Sequence, residues 1–314
     1  MTKRPRFSPY QCLFPSFFFG RLDIFSYLCG GIAKKQNMIL AIILTYFPEK
    51  ELLEKNISAI IHSVDKILIW ENTPSDLCGN YRFVHHQKVE YHGDGINSIS
   101  HALNYAWRYA KAHGYDHLLT MDQDSCFEDF PRYLKQTILN EAAPKGIYSP
   151  PIEGKTVAND FEEVDMPITS GMLIPVGLID KIGGWDEDFQ IDSVDDEFCL
   201  HAHVLGIKTF VVSGVVMQHR LGLPATRKFL GHTITLRNYP PRRLYYIYRN
   251  NIILVRKYPQ FSYIRRNLFN WLKQIVWMTL FEGNKAKKLA AIIRGCIAGL
   301  TFSGAGGDCS GPAA

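Results

Sequence analysis

Apolar positions along the first half of the chain alternate between two spacings. Residues Met38–Tyr46 form an unbroken apolar and β-branched run, as expected of a strand buried on both faces of a parallel sheet. Pro48 then opens a helical pattern carried by Leu52, Leu53, Ile57, Ile60 and Ile61 as far as Ser63. Lys66–Trp70 reads as a second strand, closed by the turn cluster Glu71–Pro74. Short strands are expected at Arg82–His85 and Val89–Tyr91, a helix at Ile99–Ala112 and a strand at His117–Met121. This β-α-β-β-α-β alternation predicts an α/β fold built on a Rossmann-like, doubly wound, mostly parallel sheet.

The second half is less regular. A helix is expected at Phe130–Ile138, a strand at Gly146–Ser149 and a polar, acidic loop at 153–165 that would lie over a site. Pro175 starts a helix, Gly183–Asp186 forms a turn, Asp195–Leu205 reads as helix and Lys208–Val212 as strand. Three helical segments follow, at 242–258, 262–281 and 285–300. The expected organisation is an extension over 1–37, a sheet domain over 38–240, an amphipathic helical region over 241–302 and a small, Gly-rich, disordered tail over 303–314.

Composition narrows the class. A hydrophobic content of 46% and a mean hydropathy of −0.09 describe a globular protein. The net charge of +5 is unevenly spread. Between Arg220 and Arg294, Glu282 is the only acid against sixteen Lys and Arg, whereas 160–197 is rich in acids. Such a basic C-terminal surface suits anionic lipid or a phosphate-bearing partner. Seven scattered cysteines without a C-x-x-C pair argue against a zinc site or a disulfide framework, and fit a reducing cytosol. Cys126 is expected to serve packing. The basic and aromatic start holds no apolar run long enough to span a bilayer, and it reads as an extension rather than a signal peptide.

Three clusters carry chemistry. In Leu118–Ser125, LLTMDQDS, an apolar run ends in two carboxylates one residue apart. A strand delivering Asp122 and Asp124 to its C-terminal end puts hard oxygen ligands where open α/β sheets bind ligands. Mg²⁺ or Mn²⁺ there would keep positions free for substrate phosphates, which points to a nucleotide diphosphate. The bland alternative is a solvated turn. In the second cluster, Asp192, Asp195, Asp196 and Glu197 crowd into six residues. Either they cap a helix and gain from its dipole, or one of them acts as a general base. In the third, His219 follows the Val211–Val216 run, where it could complete a metal site or simply be hydrogen-bonded at the surface.

In their order, these pieces resemble the inverting glycosyltransferases of family 2, with the GT-A fold, and in particular the rhamnosyltransferase branch. The resemblance spans about residues 38–260. It runs through Ile43–Tyr46, Glu71-Asn72, Asp122–Ser125 and Ser170–Ile174, then Gly184–Phe189, Val194–Leu200, His219 and Tyr246–Asn250. It implies that 38–240 is a nucleotide-sugar-binding catalytic domain. Thr45, Tyr46, Glu71 and Asn104 would line the nucleotide-sugar site, with Asp122 on the ribose side. Asp124 would bind a divalent metal, Mn²⁺ or Mg²⁺, with His219 as a further ligand. Asp195 falls in the slot of the catalytic base, with Asp192 and Asp196 as rivals because Val194 replaces the family's common Glu. Other departures are Glu71 for a usual Asp, Ser98 for a usual Gly and His201 for a usual Arg.

The implied function is metal-dependent, inverting transfer of a sugar to a hydroxyl of a saccharide or lipid-linked oligosaccharide in cell-surface polysaccharide synthesis. The favoured donor is dTDP-L-rhamnose. A UDP-sugar donor (galactofuranose or an N-acetylhexosamine) is the alternative within the class, and a catalytically silent assembly subunit the alternative outside it. Apolar positions from Trp271 to Phe281 and from Leu289 to Leu300, edged by Arg265, Arg266, Lys273, Lys285, Lys287, Lys288 and Arg294, predict contact with a membrane surface. The expected location is therefore cytoplasmic, peripheral on the inner face of the cell membrane. A homo-oligomer is compatible with this reading. No nucleic-acid motif accompanies the basic, aromatic Arg242–Tyr258 segment, so nucleic acid is not an expected partner.

Overall fold

The computed structural model describes residues 37–152, 157–219, 225–229 and 231–304. The expected extension over 1–36, Cys12, Cys29, Cys309 and the tail from 305 onward lie outside the described residues, as do the side chains of Arg265 and Arg266.

Strand β1 (Ile39–Thr45) is buried along its whole length. Its side chains alternate between two cores. Leu40, Ile42 and Leu44 join Trp70, Leu103 and Phe198 on one side, and Ile39, Ala41 and Ile43 join Leu53, Ile57 and Tyr133 on the other. Helix α1 (Lys50–Ile60) covers the second core and leads to β2 (Lys66–Glu71) and β3 (Val89–His92). Helix α2 (Ile99–Ala112), capped by the Ser98 hydroxyl accepting from His101 N, covers the first core and leads to β4 (His117–Asp122). That cap is the physical use of Ser98.

A return strand β5 (Ser125–Phe127), helix α3 (Phe130–Gln136) and strands β6 (Ile147–Ser149), β7 (Phe161–Glu163) and β8 (Leu173–Pro175) follow. Helices α4 (Val176–Ile182) and α5 (Val194–Val204) precede β9 (Thr209–Val212) and β10 (Met217–His219). The main sheet has the order β3-β2-β1-β4-β8-β6-β9-β7, in which β8 and β7 run against the other strands. β1 and β2 pair in parallel, and β4 lies on the opposite side of β1. The chain therefore changes direction of winding between β1 and β4, and the crevice of an open α/β sheet sits at that point. A hairpin of β11 (Ala225–Phe229) and β12 (His232–Leu236) leads into α6 (Pro241–Lys257), α7 (Ser262–Phe281) and α8 (Lys285–Leu300).

Three expectations are corrected. Arg82–His85 forms no strand, because Arg82 turns its guanidinium to Glu71 and Val84 N donates to Tyr91 Oη at 3.0 Å instead of to a ladder. The 153–165 segment is not purely loop: Phe161–Glu163 pairs with β9 at the end of the sheet remote from β1. Lys288 does not edge an exposed basic rim; it is buried and pairs with Glu282 at 2.6 Å.

Candidate active site

Parallel register brings the candidate residues to one edge. Thr45 is aligned with Glu71, and Leu44 with Asp122, so the C-terminal ends of β1, β2 and β4 meet. Thr45 is buried and donates through Oγ1 to Trp70 O at 3.0 Å, so its side chain fixes the strand ends rather than pointing outward. Tyr46 is half exposed, and its backbone is clasped by Gln123, which accepts from Tyr46 N and donates to Tyr46 O. Next to it Phe47 holds φ +47° and donates its N–H to Thr73 Oγ1. Glu71 is buried and receives a forked pair of bonds from Arg82, the shorter at 2.7 Å. Beside it, Asn72 leaves its Oδ1 buried with no partner among the described residues.

After Asp122 the chain turns and comes back as β5, which pairs antiparallel with β10 and sets Ser125 opposite His219. Ser125 Oγ lies 2.6 Å from His219 Nδ1, and that nitrogen is 3.9 Å from Asp124 Oδ1. Donor atoms of Asp122, Asp124 and His219 all fall within 4.8 Å of one another. Burial, and then the charges of Asp124 and Asp195, push the Asp122 carboxyl from its ordinary 3.8 to about 7. Two carboxylates and an imidazole at this spacing offer a donor set to a divalent cation such as Mn²⁺ or Mg²⁺, whose charge would offset the burial and the repulsion that raise Asp122. The site fits a divalent metal.

The acidic run comes to the same place by a strained route. Asp192 and Ser193 hold φ +60° and +59°, a region that residues other than glycine rarely occupy. Asn250 of α6 stabilises this turn by donating to both Ile191 O and Asp192 O. Helix α5 then starts with Asp195 and Asp196 in its first turn. Asp195 accepts from the backbone of Asp196 and of Thr169, while burial raises its pKa. Burial and the neighbouring Asp195 push Asp196 to about 7. The rival base Asp192 is engaged elsewhere, by Arg243 at 2.9 Å. Glu197 is buried and bonded to Lys257 and to Tyr258 Oη.

The link between the two acidic clusters is Thr169-Ser170-Gly171. Thr169 donates its backbone N–H to Asp195, and Ser170 Oγ accepts from Asp122 N at 3.0 Å. Gly171 holds φ +82°, and a Cβ there would come within 2.6 Å of Pro150. The sequence shows Ser170-Gly171 but gives no reason to pair either acidic cluster with it; only the crossing of β8 beside β4 does so. Among the described residues, Asn104 makes no hydrogen bond to Asp122, Asp124 or Asp195. Its amide donates to Trp185 O and Glu187 Oε1 and accepts from Trp185 N, so it holds the Gly184–Glu187 turn.

No protein-family model matches the chain. In sequence it is 27% identical, over 245 residues, to dTDP-rhamnosyl transferase RfbF of Shigella flexneri, covering 70% of this chain and 80% of that protein. In structure it is similar to the mannosyltransferase PcManGT from Pyrobaculum calidifontis in complex with GDP-Man and Mn²⁺. The TM-score is 0.51 at 13% identity, covering 85% of this chain and 88% of the other. The chain has the GT-A glycosyltransferase fold. A second GT-A structure, GalNAc-T7 with UDP, GalNAc and Mn²⁺, gives a TM-score of 0.51 at 11% identity over 69% of this chain, which spans 48% of that protein. On this GT-A scaffold the chain is rhamnosyltransferase-like in sequence, and its acidic cluster suits a divalent cation.

Proposed function

We propose that the chain is a metal-dependent, inverting glycosyltransferase of family 2 that moves L-rhamnose from dTDP-L-rhamnose to a hydroxyl of a saccharide, in cell-surface polysaccharide synthesis. The observation that carries this reading is the convergence of Asp122, Asp124 and His219 with Asp195, close enough for the Asp195 charge to raise Asp122. Similarity to the Shigella flexneri rhamnosyl transferase supports the choice of donor.

Asp122, Asp124 and His219 would hold the cation, which when bound supplies positive charge against the diphosphate leaving group. Glu71, positioned by Arg82, and the unpartnered Asn72 Oδ1 offer acceptors to a nucleobase at the ends of β1 and β2. Asp195 would take the proton of the acceptor hydroxyl as that oxygen attacks the anomeric carbon. Its buried setting raises its basicity, which a general base needs. Attack opposite the leaving diphosphate inverts the centre, so a β-L donor gives an α-rhamnoside.

Exposed apolar ridges on the C-terminal helices support placement at an anionic membrane surface. Leu272, Val276 and Leu280 on α7 and Ile293, Ile297 and Leu300 on α8 are each more than half exposed, with Lys273 and Arg294 beside them. No helix among the described residues is long and apolar enough to cross a membrane.

The test is thermal stability against dTDP, UDP and their sugars, with and without Mn²⁺. Metal-dependent stabilisation by dTDP and dTDP-rhamnose above the UDP compounds, lost in Asp124→Ala, is expected. A preference for UDP compounds would overturn the donor, and no response to any nucleotide would overturn the transferase.

A further inference from the structure

A cavity of about 330 Å³ opens between the start of α6 and the middle of α8, lined by Pro241, Arg242, Tyr245, Tyr246, Ala291 and Arg294. Its chemistry is one-sided: two guanidinium groups, two phenols and no carboxylate. Among the described residues Arg242 has no acidic partner, and Arg294 bonds only to its own helix, at Ala290 O. By contrast the adjacent Arg243 is committed to Asp192. The walls are set by close helix packing, since a Cβ on Gly295 would come within 2.4 Å of Tyr245 O. On the outer side, Ile297 lies one turn along α8 from Arg294 and is 55% exposed, with Leu300 at 63% beyond it.

The cavity is also tied to the loop that delivers Asp195. Tyr246 Oη donates to Gln190 Oε1 at 3.0 Å, and Gln190 O accepts from Ile99 N. Guanidinium forks without an acidic partner are the side chains best suited to a phosphate, and the Tyr245 phenol adds a donor that tolerates an apolar neighbour. We propose that this cavity binds the phosphate or diphosphate head of an amphiphilic acceptor, whose apolar chain lies along the Ile297 and Leu300 ridge. Its role as an acceptor subsite rests on the transferase reading given above; its affinity for a phosphate ester does not.

The full chain, in metal-free buffer containing EDTA, is titrated calorimetrically with inorganic pyrophosphate. Saturable binding is expected, weakened about tenfold or more in Arg242→Gln and in Arg294→Gln, and retained in Asp124→Ala. Melting temperatures of the variants, matched to the unsubstituted chain, exclude misfolding. Equal binding by the R242Q/R294Q double variant, no binding by the unsubstituted chain, or loss of binding in Asp124→Ala would each overturn the site. Vesicles of phosphatidylcholine with and without phosphatidic acid separate the sources of phosphate. Binding that needs phosphatidic acid, is competed by pyrophosphate and falls in R242Q/R294Q supports a lipid-borne head. Vesicle binding indifferent to both changes overturns the lipid and leaves a soluble phosphate ester. Pyrophosphate binding in a chain that binds no nucleotide with Mn²⁺ would keep the anion site and discard its acceptor role.

Discussion

Two sets of carboxylates lie close together in this protein and are treated in opposite ways. Asp192 and Glu197, near the ends of the second acidic run, are each met by a cation from α6: Arg243 forks onto Asp192, and Lys257 reaches Glu197 at 2.8 Å. Asp122, Asp124, Asp195 and Asp196 meet no lysine or arginine among the described residues, and burial leaves Asp122 and Asp196 near 7. The first set locks the C-terminal helix to the sheet domain. The second holds surplus negative charge at the mouth of the crevice, where a cation or a proton must come from outside. Composition alone does not separate them.

That contrast can be broken most sharply at Asp195. Asp195→Asn is expected to slow sugar transfer about a thousandfold while leaving nucleotide affinity unchanged; Asp196→Asn should lose far less. Reversed rates in the two variants, read by product formation at saturating donor, would hand the role of base to Asp196. On the structural side, Lys257→Met strands the buried Glu197 and is expected to cost about 3 kcal/mol of stability in denaturant titration. Adding Glu197→Gln should recover most of that loss, since it removes the uncompensated charge. A smaller effect is expected at Ser125, whose hydroxyl holds His219 Nδ1. Ser125→Ala should weaken Mn²⁺ binding about tenfold, measured by metal titration of stability.

The mildest test is pH. Folded Asp122 and Asp196 titrate near 7 against an ordinary 3.8, so between these values the folded state holds protons that the unfolded state has lost. Their contribution to stability is complete below about 4 and is lost as pH rises through about 7. The metal-free melting temperature should therefore fall between about pH 4 and 7, and the fall should shrink with Mn²⁺ or in Asp122→Asn. A flat profile would mean that these carboxylates are already neutralised.

Much of this arrangement was legible in the chain. The run at Met38–Tyr46 and the period of Ile99–Ala112 identify β1 and α2 closely, because burial on both faces of a strand or one face of a helix leaves a long, regular record. Short elements leave no such record. The three-residue strands β5 and β10 pair Ser125 with His219 across 94 positions, and neither shows a period of its own. The hairpin of β11 and β12 was missed for the same want of signal. Arg82 reads as part of an extended strand until its bond to Glu71 is seen. Lys288 reads as a surface lysine until Glu282 is found folded back against it.

The sequence by itself determined the long strands and helices, such as β1 and α2, and that carboxylates end β4 and begin α5, since those outcomes depend on neighbours a few residues apart. Only the tertiary structure decided which carboxylates keep their charge unanswered. The ionisation of Asp122 depends on burial and on Asp124 and Asp195, and that of Asp192 on burial, which raises it, and on Arg243, in a helix about fifty residues later, which offsets part of that rise. Electrostatic energy falls with distance through a medium whose polarity is itself a product of packing, so it is fixed only once the chain has folded.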